Sequence, residues 1–135
     1  MKTSTLILSW ALRIVASLIM LQTLFFKFTG AEESVYIFTT LGMEPVGRIG
    51  SGIAELIASI LILTPSKAWL GGIFAAGIMC GAILSHLTVL GIEVRGDGAL
   101  LFIYALTVLA CSLGVVWIHR AQPLALIDNL SRRSV

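Results

Sequence analysis

The chain alternates long apolar stretches with short polar breaks, and the spacing of the two predicts its elements. Four apolar runs cover residues 5–26, 46–63, 68–90 and 98–118. A bilayer core about 30 Å thick is crossed by about 20 helical residues. Each run approaches or exceeds that length, and each is too long for a strand and too apolar for a surface helix. The second run, the shortest, stops at Thr64-Pro65, because proline cannot continue a helix. The first run opens after Lys2 and is longer than the ~7–15-residue apolar core of a signal peptide. It also carries Arg13 and ends without a small-residue cleavage site, so it reads as a retained helix. The expected architecture is all-α: a four-transmembrane-helix up-down bundle, one integral membrane domain over residues 1–135.

The breaks carry their own pattern. Residues 31–45 form the one sizeable loop, in which Glu32 and Glu33 precede Val35, Phe38 and Leu41, with Gly42 as a C-cap. That arrangement predicts a short amphipathic, extracytoplasmic helix over about 32–41, lying as a lid or interfacial element. Residues 119–135 form a tail in which Leu124, Ile127 and Leu130 recur at helical spacing beside Arg132 and Arg133, as suits a segment on the cytoplasmic leaflet. Lys2, Lys67, Arg120, Arg132 and Arg133 gather on one side of the spans with Asp128 as their one acid. By the positive-inside rule both termini are expected in the cytoplasm. Trp10, Trp69 and Trp117 fall near that same boundary, as an interfacial aromatic belt would.

Composition sharpens the class. Of the 135 residues 58% are hydrophobic and 12% charged, and the mean hydropathy is +1.02. That is about half the ordinary charged fraction of a soluble domain, roughly 25%. A soluble chain of this size cannot hide so much apolar surface. The net charge of +2 is too small for a polyanion partner, so no nucleic acid is expected. Cys80 and Cys111 lie within apolar runs at no metal or redox spacing, and they read as buried structural thiols. No metal is indicated.

The charges inside the spans are the informative exceptions, since each costs at least ~2.5–3.5 kcal/mol to insert. Arg13 lies in the first helix, Glu55 near the middle of the second and His86 in the outer half of the third; Lys27 and Arg48 stand at the outer interface. At spacings of three and four, Ser9, Arg13, Ser17, Leu24 and Lys27 share one face. Arg48, Ser51, Glu55 and Ser59 share another, and so do Ala75, Met79, Ala82 and His86. Asp97, Tyr104 and Cys111 repeat at heptad spacing on the fourth run, with Thr107 beside them. Turned inward, these stripes place Glu55, His86 and Tyr104 in one layer of a polar pocket. Arg13 and Glu55 are expected to face each other, either as an ion pair that fixes register or as part of the site. Lys27 and Arg48 are also explained as interface snorkellers, and His86 as a hydrogen-bonded interface histidine. Gly77 and Gly81, continued by Ser85, lie opposite the His86 face and read as a helix-packing surface, within the bundle or against another subunit. Gln22 points away from this arrangement and is unaccounted for.

The order of these residues resembles a known family. The strings LRIVASLIM, LFFKFTG, LGMEPVG, GIAELIASILIL and GAILSHL look like those of DoxX-like proteins, small four-helix bacterial membrane proteins, from about Leu12 to Val116. The resemblance carries over Arg13, Lys27, Glu55 and His86 and implies an inner-membrane location. It also implies links to membrane redox complexes, including likeness to the small subunit of an archaeal thiosulfate:quinone oxidoreductase. The leading expectation is therefore a subunit that binds a quinone or similar lipophilic molecule in support of a redox partner protein. In it His86 and Tyr104 donate to a carbonyl, Glu55 relays protons and Arg13 holds Glu55 ionised. Two alternatives stand beside it: a non-catalytic scaffold or homo-oligomer built on the Gly77/Gly81 face, and a small-molecule or proton pathway. Whether the chain has activity of its own stays open. A haem is not indicated, since His86 and His119 fall near opposite sides of the membrane.

Overall fold

A computed structural model describes residues 1–134; Val135, the last residue of the expected tail, lies outside the described residues. Four long helices, α1 (Thr3–Thr29), α3 (Val46–Leu63), α4 (Ala68–Ser85) and α5 (Leu100–Ile118), run up and down as a bundle. The short α2 (Glu32–Thr40) follows α1, and α6 (Gln122–Arg133) closes the described chain. A single 3-10 turn, Pro65–Lys67, joins α3 to α4, and a π-helical turn, His86–Leu90, follows α4. All four long helices have the length and hydropathy to cross a membrane. The expected run 68–90 is thus an α-helix only to Ser85, and the run 98–118 becomes helical only at Leu100.

Packing makes a closed ring in which α1 and α4 each lie between α3 and α5. The core is built of small side chains, among them Ala16, Ala58, Ala75, Ala105 and Val108, which let the helices approach closely. Large apolar side chains such as Leu18, Phe25, Ile57, Ile73, Ile103 and Leu113 are exposed around the outside. Water would not tolerate an apolar belt of that extent, and lipid requires it.

The bundle is tightest at the end that carries both termini. A Cβ added to Gly71 would lie 2.3 Å from the Ile62 backbone nitrogen, and one on Gly72 would lie 3.0 Å from the Ser112 carbonyl. One on Gly114 would meet Leu12 at 2.8 Å. Gly71 and Gly72 bring α4 onto α3 and α5 at nearly backbone distance, and Gly114 leaves room on α5 for the Leu12 side chain of α1. No described glycine brings two of the long helices' backbones so close at the opposite end, which carries α2, and there the helices diverge around a cavity.

Two arginines fix the pairing of α1 with α3. The last four carbonyls of a helix have no partner within it. Arg13 of α1 donates from Nε to the Ile62 carbonyl in the last turn of α3, at 2.5 Å. Arg48 of α3 donates from Nη1 to the Lys27 carbonyl in the last turn of α1. Each helix thus has a cation from its neighbour at the negative end of its dipole. Arg48 is held in turn by Glu44 at 2.9 Å.

The terminal end has polar links of its own. Ser9 bonds the His119 Nε2 at 2.6 Å. Gln122, at the start of α6, accepts from the Trp69 backbone N–H at 2.9 Å and donates to the Pro65 carbonyl at 2.7 Å. It thereby ties α6 to the turn between α3 and α4. Beyond it Leu124, Ile127 and Leu130 are all exposed on one side of α6.

Candidate functional site

Between the diverging helices lies a cavity of about 550 Å³. Its walls are mostly apolar, with Ile19, Met20 and Phe26 of α1, Ile78 and Met79 of α4, and Ala105 of α5. From α2, Ser34, Ile37 and Phe38 cover it, and Ser34 is itself buried. Glu32 of α2 pairs with Arg95 at 3.1 Å, and the Arg95 guanidinium stands 5.3 Å from the Tyr36 ring centre. Those contacts tie the cover to the loop before α5.

Glu55, His86 and Tyr104 line this one cavity, together with Lys27. Arg13 does not reach it. The expected Arg13–Glu55 pair is replaced by Lys27–Glu55, at 2.6 Å between Nζ and Oε1. Helix geometry accounts for the correction. The Arg13 contact on α3 is Ile62, seven residues beyond Glu55 and therefore ~10 Å further along the axis. Arg13 stacks over Trp10, 3.7 Å from the ring centre, and has no carboxylate partner among the described residues. Lys27, read as an interface snorkeller, instead turns inward and keeps only 14% of its side chain exposed.

Thr23 completes the acid's surroundings and escaped the sequence reading. Its hydroxyl lies 3.1 Å from Glu55 Oε2 and 2.7 Å from the Met20 carbonyl, with one proton to share between them. Its place one turn before Lys27 on α1 was the available signal. Gln22 belongs here too: it lies on the cavity wall while exposed on the bundle's side, as does Gly81. The cavity therefore opens sideways through the spans.

Gly77 and Gly81 do not pack within the bundle, since an added Cβ at either meets nothing within 4 Å. Gly81 and Ser85 instead form part of the cavity wall. Cys111 is buried as expected, whereas Cys80 is exposed on the outside of α4.

His86 begins the π-helical turn, and such turns commonly sit at functional positions. Its Nδ1 lies 2.9 Å from the Gly91 carbonyl, and Phe102 meets its ring edge-on at 5.6 Å. Asp97, expected on the helical stripe with Tyr104, precedes α5 and organises its loop. It accepts from the backbone N–H groups of Val94, Ala99 and Leu101. Burial pushes its carboxyl up, but those backbone donors outweigh burial and hold it below its usual value. Among the described residues no cluster of three metal-ligating side chains occurs.

Fold and site together define a multi-pass helical membrane protein with a laterally open, partly polar cavity at one end. Within that class the chain belongs to the DoxX family, which it matches over residues 8–91. The matched stretch holds Arg13, Lys27, Glu55 and His86, while Tyr104 lies beyond it. No curated protein and no solved structure matches the chain.

Proposed function

We propose that the protein is a bacterial inner-membrane subunit that binds a quinone or similar lipophilic small molecule in this cavity and so supports a membrane redox partner. One observation carries the reading: an apolar slot of about 550 Å³, open through the side of the spans, with Lys27, Glu55, His86 and Tyr104 on its walls. That size suits a small-molecule site, commonly ~300–1,000 Å³, and the few polar groups among apolar ones suit an aromatic head group. An opening between spans lets such a molecule enter from lipid. Lys27 and Tyr104 have protons to donate to a ring oxygen, and Glu55, beside Lys27, is placed to exchange a proton. Lys and Arg counts in the loops favour cytoplasmic termini, with α2 on the far side.

The test is mass spectrometry of protein purified in mild detergent. A co-purifying quinone-class molecule, lost in a Glu55→Gln/His86→Leu double variant that still melts cooperatively, is the expected result. Absence of any lipophilic molecule, with a stoichiometric protein partner in its place, would overturn it. That outcome favours a scaffold reading, for which the uncovered Gly77/Gly81 face of α4 is the supporting observation.

A further inference from the structure

His86 is 6% exposed and lines the cavity. Its Nδ1 lies 2.9 Å from the Gly91 carbonyl. A carbonyl only accepts, so this contact is a hydrogen bond only if Nδ1 carries the proton. A neutral imidazole has one N–H, and here the Gly91 contact uses it. Nε2 is then a bare lone pair. It has no partner among the described residues, and it is not one of the unpartnered atoms sealed off from solvent, which are Arg13 Nη2, Ser17 Oγ and Ser112 Oγ.

A second acceptor flanks the same space. The Glu55 carboxylate takes Lys27 on Oε1 and Thr23 on Oε2, and each oxygen keeps a further lone pair. Lys27 and Tyr104 retain donors that a ring carbonyl can use, so they do not distinguish an oxidised from a reduced ring. His86 does. A carbonyl oxygen placed against Nε2 would set two lone pairs face to face, whereas a hydroxyl would donate to it.

We infer that the cavity selects the hydroxyl-bearing, reduced form of its aromatic ligand, a hydroquinone or related phenol, through donation of the ligand's O–H to His86 Nε2. The inference rests on the proposed small-molecule reading and reverses the expectation that His86 donates to a carbonyl. A buried acceptor left facing another acceptor is penalised by about the worth of one hydrogen bond, which corresponds to roughly tenfold in affinity.

The experiment is anaerobic equilibrium binding to the intact, detergent-purified protein. Three probes share one short alkyl tail: a hydroquinone, the matching benzoquinone, and the alkylbenzene that lacks both oxygens. The hydroquinone is expected to bind about tenfold tighter than the benzoquinone. His86→Leu is expected to remove that preference while the benzoquinone's affinity changes little. Benzoquinone binding as tight as hydroquinone binding on the unaltered protein overturns the inference and leaves the small-molecule reading standing, whatever the variant's stability. A preference that survives in a folded His86→Leu protein also overturns it. No binding of any of the three probes overturns both together.

Discussion

Lys27 and Glu55, on neighbouring antiparallel helices and 28 residues apart in sequence, close a 2.6 Å ion pair on the wall of the cavity. The pair explains how a carboxylate and an ammonium are tolerated among apolar helices, since each removes the other's isolation. It also keeps the acid at the cavity while Arg13 serves elsewhere.

Removing one partner should therefore cost more than removing both. Glu55→Gln leaves Lys27 facing apolar walls and is expected to destabilise by several kcal/mol; fully sealed pairs lose roughly 3–5. The 14% exposure of Lys27 to the cavity lowers that figure. In detergent melting, the Lys27→Met/Glu55→Gln double variant should lie above Glu55→Gln alone. A double variant that melts lower than either single one would show that the two side chains are not coupled.

Arg13 gives the complementary expectation. Because it caps Ile62 rather than pairing with Glu55, the effects of Arg13→Met and Glu55→Gln should add to within ~0.3–0.5 kcal/mol, as for distant sites. A coupling above about 1 kcal/mol in that double-mutant cycle would restore the pairing expected from sequence.

The glycines supply a contrast along a single helix. Gly71→Ala drives a methyl group to 2.3 Å from the Ile62 nitrogen, against backbone that cannot yield cheaply. A loss of at least the ~1–3 kcal/mol typical of overpacking is expected. Gly77→Ala meets nothing and should be neutral or slightly stabilising, since alanine is the better helix former. Equal melting temperatures for the two variants would contradict the tight packing at the terminal end.

His119, just past the end of α5, makes the stability depend on pH. Burial first, and the Arg13 charge second, hold it below its ordinary 6.5. The unfolded chain therefore binds a proton near that pH which the folded one does not, and stability falls as pH drops below about 6.5. The slope is at most ~1.4 kcal/mol per pH unit for one group. Melting temperatures between pH 7.5 and 5.5 should decline in the unaltered protein and decline less in His119→Gln. A rise on acidification would reverse the sign and sink the assignment.

Much of the fold was legible in sequence, because apolar run length alone dictates spans and Thr64-Pro65 dictates a turn. The short α2 was legible from Glu32, Glu33 and Gly42. The inward faces were legible as well, and so was the grouping of Glu55, His86 and Tyr104, since helical period and rise fix both angle and depth. Partner choice was not. Lys27 and Arg13 stand on the same stripe of α1, and which of them meets Glu55 depends on how far α3 slides along α1. That register is set by the two arginine caps, Arg13 on the Ile62 carbonyl and Arg48 on the Lys27 carbonyl, both of which are long-range contacts. The direction of the His86 proton was equally hidden, because it depends on a carbonyl that only the π-helical turn brings into reach.

The close approach of helices at Gly71 and Gly72 has a bearing on traffic. A molecule that enters among the diverging helices meets a floor in which one helix rests almost directly on the next. It must leave by the side from which it came. On the proposed small-molecule reading, a held ligand would exchange with the membrane and with the compartment facing α2. In shape the bundle is a cup.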